Sequence, residues 1–154
     1  MKHIGYIAAL MTVTTKTGLT DKTTAQDRLR EAGLRLTRPR LALAKLLFAG
    51  GDRHVTAETL FAEALAARMP VSLATIYNTL NQFTAAGLLR EVAIEGDRTY
   101  FDTNTSNHCH YYLESDGKLI DIDTQDLRVE GLPEIPAETV IDRIDVVVRL
   151  KPKT

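Results

Sequence analysis

Four consecutive residues, Asn107-His108-Cys109-His110, hold the only cysteine of the chain and two of its four histidines. Imidazole nitrogen and thiolate sulfur are the side-chain donors that take borderline transition metals and haem iron. In an extended segment successive side chains point to opposite faces. His108 and His110 therefore share one face, and Cys109 takes the other. If Asp116-Gly117 forms a two-residue turn, His110 faces Asp123 on the returning strand. One face then carries His108, His110, Tyr112, Asp121 and Asp123, and the other Cys109, Tyr111, Leu113, Ile120 and Ile122. The clean separation of the apolar set supports this register. Two imidazoles and two carboxylates on one side suit Zn, Fe(II) or Mn(II), and the ligand set does not choose among them. Cys109 falls with the apolar residues and reads as a small buried hydrophobe. The bland alternative for the histidines is an exposed or hydrogen-bonded pair; the companion aspartates raise the metal reading above it.

The elements that must position these groups are legible from caps and breakers. Thr24 caps a first helix with Asp27 at the reciprocal position, and Gly33 stops it. Thr37 caps a second, with Pro39 in its first turn, an apolar stripe of Leu43, Leu46 and Leu47, and Gly50-Gly51 at its end. Thr56 caps a third, with Leu60, Phe61, Ala64 and Leu65 facing inward and Met69-Pro70 closing it. Ser72 caps a fourth that runs to about Ala86, with Gly87 as its stop. Leu88 to Glu95 and Arg98 to Asp102 flank Gly96-Asp97 and read as a hairpin. Helices followed by a two-stranded hairpin is the order of a winged helix. A second unit adds a strand from His108, a strand ending at Asp123, a short helix capped by Thr124, a Pro-containing loop, and a strand from about Arg143 to Leu150. The fold class is α+β. Its parts are an N-terminal extension over 1–23, expected to be poorly ordered, a winged-helix domain over 24–102, a hinge over 103–107 and a small α/β domain over 108–154.

The fourth helix carries the sharpest signal. Ile76, Leu80 and Phe83 form its buried stripe, while Ala74, Tyr77, Asn78 and Asn81 line the opposite side. No charged residue occurs from Val71 to Leu89. An ordinary solvent-facing helix carries Lys and Glu. A helix seated in the major groove of DNA excludes carboxylates, which phosphates repel, and uses amides and apolar atoms to read base edges. Ser72 and Thr75 stand at the helix start, where phosphate binds well. A buried helix or a protein interface is the competing explanation. The Arg-rich segment upstream favours DNA, since Arg35, Arg38 and Arg40 flank a helix start and can neutralise phosphate or enter a minor groove.

Bulk composition agrees. With 44% hydrophobic and 25% charged residues, the chain is globular rather than disordered. The net charge of -1 hides a basic front, with six basic residues against one acid between Arg28 and Lys45, and an acidic rear, with six against ten from Thr103 onward. One cysteine excludes an intramolecular disulfide and a CxxC zinc knuckle, which fits a cytoplasmic location. The apolar run Ile4–Met11 is too short to span a membrane and lacks a cleavage site; Met11 is an alternative start.

Taken together, the stretches Gly33-Leu-Arg-Leu-Thr-Arg-Pro-Arg40, Asp52-Arg-His-Val-Thr-Ala-Glu58, Ser72-Leu-Ala-Thr-Ile-Tyr-Asn-Thr-Leu-Asn-Gln-Phe83 and Arg98-Thr-Tyr-Phe-Asp-Thr-Asn104 resemble the ferric uptake regulator family. Within it the chain is most similar to the iron response regulators of α-proteobacteria. The resemblance implies a homodimeric, iron-responsive DNA-binding repressor acting on AT-rich palindromes of double-stranded DNA. It implies a hinge metal site with His54, His108 and His110, Asp102 one residue out of register with a family carboxylate, and Asp121 in the place of a family Glu. Tyr77 matches the groove-reading tyrosine and Arg35 a basic residue that reaches the minor groove. The ligand implied is a divalent ion (Fe, Mn or Zn) or haem on His108 and His110, with haem-delivering proteins as further partners in the second case. Several features depart from the pattern. Leu113 and Asp116 stand where cysteines of a structural zinc site are expected, no histidine follows His110 to complete a second regulatory site, Asn78 replaces an Arg, and an N-terminal Cys-Pro haem motif is lacking.

Two other readings compete: a non-haem Fe(II) metalloenzyme on a His/His/carboxylate triad, and a redox switch in which Cys109 forms an intersubunit disulfide. The regulator reading, in which the chain is not an enzyme, ranks first, because neither alternative requires an uncharged fourth helix.

Overall fold

A computed structural model describes residues 23–96, 98–123 and 127–154. They fall into two compact units that divide between Thr105 and Ser106. The first 22 residues, the turn residue Asp97 and the start of the expected Thr124 helix lie outside the described residues; from residue 127 to 146 no helix or strand follows.

The first unit orders its elements as α1 (Ala25–Glu31), α2 (Arg38–Phe48), β1 (His54–Val55), α3 (Ala57–Ala66), α4 (Leu73–Ala85), β2 (Arg90–Val92) and β3 (Tyr100–Asp102). Each helix starts where a side-chain oxygen takes an orphan amide: Thr24, Thr37, Thr56 and Ser72 accept from the third residue onward. Asp27 closes the reciprocal box, and its bond from Thr24 holds its carboxyl below the usual range. Gly87 takes φ +75°, so the amide of Leu88 turns back to the carbonyl of Phe83 and α4 ends. The third helix stops sooner than Met69-Pro70 requires, because Arg68 itself turns left-handed at φ 54° and Met69 caps Ala64.

Leu29, Leu43, Leu47, Leu60, Ile76, Leu80 and Phe83 are fully buried and pack with Phe101 into one core. Leu65, expected to face inward, is 54% exposed, because the arc toward the core is filled by Leu60 and Ala64 one turn apart. Deleting a fully enclosed side chain leaves a cavity as well as lost transfer energy. Leu80→Ala is therefore expected to lower unfolding free energy by about 2–5 kcal/mol, read by denaturant titration.

The three strands form an antiparallel sheet in the order β1-β3-β2. The hairpin is shorter than its β-rich composition suggests, pairing only Arg90–Val92 with Tyr100–Asp102. The two-residue strand β1 was not anticipated. It sets His54 directly opposite Asp102.

The second unit contains β4 (Cys109–Leu113), β5 (Lys118–Ile122) and β6 (Val147–Leu150) in the order β5-β4-β6. Residues 114–117 form a four-residue turn between the paired ends Leu113 and Lys118, in place of the expected two-residue one. Gly117, at φ 59°, supplies the left-handed corner. His110 therefore faces Asp121 and not Asp123. A shift of two positions keeps every side chain on its expected face. The last strand begins four residues later than expected. It runs parallel to β4 starting at Val147 opposite His110, and upstream Arg143 bonds locally to Asp145 at 2.8 Å. On the outer face Tyr111 has Ile120 on one side and Val148 on the other, a row that stays 37–40% exposed.

Candidate metal centre and nucleic-acid interface

Two sets of nitrogen and oxygen donors are built, one in each unit. In the first, the β1–β3 pairing brings His54 Nε2 to 3.3 Å from Asp102 Oδ2. Asp102 is completely buried, and its Oδ1 accepts from the amide of Asn104 at 2.8 Å. A carboxylate taken out of water demands such partners.

In the second set, His108 Nε2 lies 3.2 Å and His110 Nε2 3.5 Å from the same oxygen, Asp121 Oδ1. The rings meet edge to face with centroids 4.4 Å apart, as the i, i+2 alternation requires. Both histidines are buried, at 6% and 2% exposure, whereas Asp121 is exposed. The Nδ1 of His108 sits 2.9 Å from the carbonyl of Ser106. A carbonyl only accepts, so Nδ1 carries the hydrogen, and in the neutral ring Nε2 holds a lone pair. That lone pair faces a carboxylate oxygen. Two acceptors at 3.2 Å repel unless a cation, proton or metal, lies between them. The donor set is the one that borderline divalent ions prefer, and a backbone carbonyl on the far nitrogen is how metal-binding histidines are oriented. The residues present thus fit such an ion. Asp121 is the aspartate of this set; Asp123 is not among the clustered donors of the described residues. Cys109 is fully buried on the opposite face, as the alternation predicts. A thiol with no exposed surface is poorly placed for an intersubunit disulfide.

The other face of interest belongs to α4. Ala74, Tyr77, Asn78 and Asn81 are all exposed while Ile76, Leu80 and Phe83 are sealed in the core, so the uncharged surface is not a buried one. At its start Ser72 Oγ accepts the amide of Thr75 at 3.1 Å and lies 2.9 Å from Thr75 Oγ1. One hydroxyl hydrogen joins the two oxygens, which leaves the other to donate outward. Arg35 and Arg38 are exposed. Arg40 is committed elsewhere: Nε and Nη2 donate to Gln82 Oε1 at 3.0 and 2.7 Å, and Nη1 donates to the carbonyl of Arg35 at 3.0 Å. Its guanidinium ties the Arg35 loop to α4. Glu58, which the sequence did not single out, accepts the hydroxyl of Tyr77 at 2.7 Å. Nineteen residues separate the two, so no local pattern announces the pair.

These features define a winged-helix protein coupled to a sheet unit that carries imidazole and carboxylate donors. The chain belongs to the ferric uptake regulator family, whose model matches residues 31–143. It is 38% identical over 94 residues to the peroxide-responsive repressor PerR of Staphylococcus epidermidis, a match covering 60% of this chain and 61% of that one. It is 36% identical over 104 residues to the ferric uptake regulation protein of Shigella flexneri, covering 67% and 68%. The ferric uptake regulator of Pseudomonas aeruginosa solved with manganese superposes with a TM-score of 0.63 at 24% identity, over 84% of this chain and 98% of that one, which shows the shared fold. The chain thus spans about 61% and 68% of the length of these two relatives, which are named as a repressor and a regulation protein. Among the described residues no helix is long and apolar enough to cross a membrane.

Proposed function

We propose that the protein is a cytoplasmic, homodimeric transcription regulator whose grip on a palindromic DNA operator is set by a divalent metal ion. The observation that carries this reading is the pairing of an exposed, charge-free α4 with an imidazole–carboxylate donor set in one chain. The pair His54 and Asp102 offers two ligand atoms and the trio His108, His110 and Asp121 three, and we assign all five residues to metal binding. A bound ion would supply positive charge to lone pairs that otherwise repel. Tyr77, Asn78 and Asn81 read base edges, Ser72, Thr75, Arg35 and Arg38 contact phosphate or the minor groove, and Arg40 holds the Arg35 loop to α4.

Names of relatives support the regulatory half: one is a peroxide-responsive repressor, another a ferric uptake regulation protein. A second copy fits the exposed Tyr111–Ile120–Val148 row, since an apolar patch on a sheet face invites a like partner. We assign the chain to the iron response branch on Asn78, which stands on the exposed face of α4, and on the lack of a CxxC pair. The ion is favoured over haem as the ligand of His108 and His110. A porphyrin needs an open slot beside its axial ring, and both rings are almost wholly enclosed. With haem as the ligand, haem-delivering proteins would join the operator and the second copy as partners.

The test is operator selection by the purified full chain, followed by binding at fixed salt with Mn(II), Fe(II), Zn(II) and haem in parallel. Constant salt matters because counterion release makes such affinities steeply salt-dependent. Affinity that shifts with a divalent ion supports the reading; a shift with haem alone would reassign the ligand. Affinity indifferent to all four would remove the sensing function, and absence of sequence-specific binding would remove the regulator.

A further inference from the structure

Every acidic residue is missing from the α4 segment, yet a carboxylate reaches its exposed face from α3. Glu58 stands in the first turn of α3, where the helix dipole favours an anion, and it accepts the Tyr77 hydroxyl at 2.7 Å. Both side chains are exposed. A negative charge on a surface meant for phosphates costs affinity, so its presence asks for a compensating role. The proton belongs to the phenol: the bond holds the Glu58 carboxyl below its ordinary range and lifts the Tyr77 hydroxyl above its own.

We infer that Glu58 is a specificity-positioning residue that consumes the Tyr77 hydroxyl hydrogen and so presents the phenol oxygen to DNA as an acceptor only. A free tyrosine hydroxyl both donates and accepts and distinguishes bases poorly. One whose hydrogen is spent accepts only from groups that donate. In the major groove those are the exocyclic amino groups of adenine and cytosine, whereas guanine O6 and N7 and thymine O4 present lone pairs. Glu58 would therefore write a preference for an amino-bearing base at the position Tyr77 faces, without touching that base. The inference rests on the DNA-reading function proposed above.

The test compares the full-length wild type, Tyr77→Phe, Glu58→Ala, Glu58→Gln and the double variant Glu58→Ala/Tyr77→Phe in parallel selections from random duplexes. Quantitative binding then uses duplexes altered at single positions. Wild type is expected to prefer adenine or cytosine at one position of each half-site by about tenfold. Tyr77→Phe and Glu58→Ala should each flatten that position and leave the others intact, and the double variant should add nothing to either single one. Glu58→Gln, which keeps an accepting oxygen, should retain part of the preference. Replacing a preferred adenine by purine, which lacks the amino group, should weaken wild type but not Glu58→Ala. In a tyrosinate absorbance titration, Glu58→Ala should return one tyrosine toward its ordinary ionisation range, a change that general loosening of the fold would not confine to one ring. Additive losses in the double variant, or a wild-type preference for guanine or thymine at that position, would overturn the inference and leave the regulator reading standing. Failure of wild type to select any sequence would overturn both.

Discussion

Alanine at both His108 and His110 is expected to lower the affinity of the full chain for Zn(II) or Mn(II) by at least about 100-fold, since even the groups that merely orient metal ligands are worth 10–100-fold. The two Nε2 atoms converge on a single oxygen of Asp121, so the double substitution removes both of the imidazoles paired with that oxygen. The fold is expected to survive, because both side chains lie outside the core gathered around Leu80 and Phe83 and the ladder of β4 with β5 and β6 uses backbone groups. A chelator-competition titration gives the affinity and a thermal melt checks the fold. Operator binding by the variant should be the same with and without metal. A metal titration that overlays that of wild type would remove these histidines from the site.

Tyr77→Ala carries the second large effect. Loss of a base-reading contact costs about 1–3 kcal/mol, so specific operator affinity should fall roughly 5- to 150-fold. Binding to unrelated DNA, which is carried by phosphate contacts, should barely change. Thermal stability should stay within about 0.5 kcal/mol of wild type, because the ring is 38% exposed and the helix stripe beneath it is untouched. Equal losses on specific and unrelated DNA would mean that α4 positions the protein without reading bases.

How far the sequence carried these conclusions depends on how local each cause is. The starts of all four helices were legible because capping is a matter of three or four consecutive residues, as at Thr24 with Asp27 and Ser72 with Thr75. The stops at Gly33 and Gly87 were legible because a left-handed corner selects glycine; the stop at Arg68 was not, since nothing in its side chain signals that conformation. The face shared by His108 and His110 followed from strand alternation alone. Its carboxylate partner did not, because choosing Asp121 over Asp123 required the true turn length, and a four-residue turn ending in Gly117 looks much like a two-residue one in sequence. His54 and Asp102 entered only through family resemblance. Their juxtaposition depends on a two-residue strand too short to show any alternation. The engagement of Arg40 with Gln82 spans 42 residues and that of Glu58 with Tyr77 spans 19, distances at which only the folded chain brings groups together.

The middle strand of the first sheet gives Asp102 a mechanical reach that its burial conceals. Asp102 ends β3, and Tyr100, about 7 Å away along the extended backbone, begins it where the hairpin loop rejoins the sheet. A three-residue strand thus joins the carboxylate that faces His54 to the wing. On the proposed metal assignment, a displacement of that carboxylate would reach the hairpin through Phe101, which is packed in the helical core, so the wing and the packing of α2 and α4 would respond to the ion together.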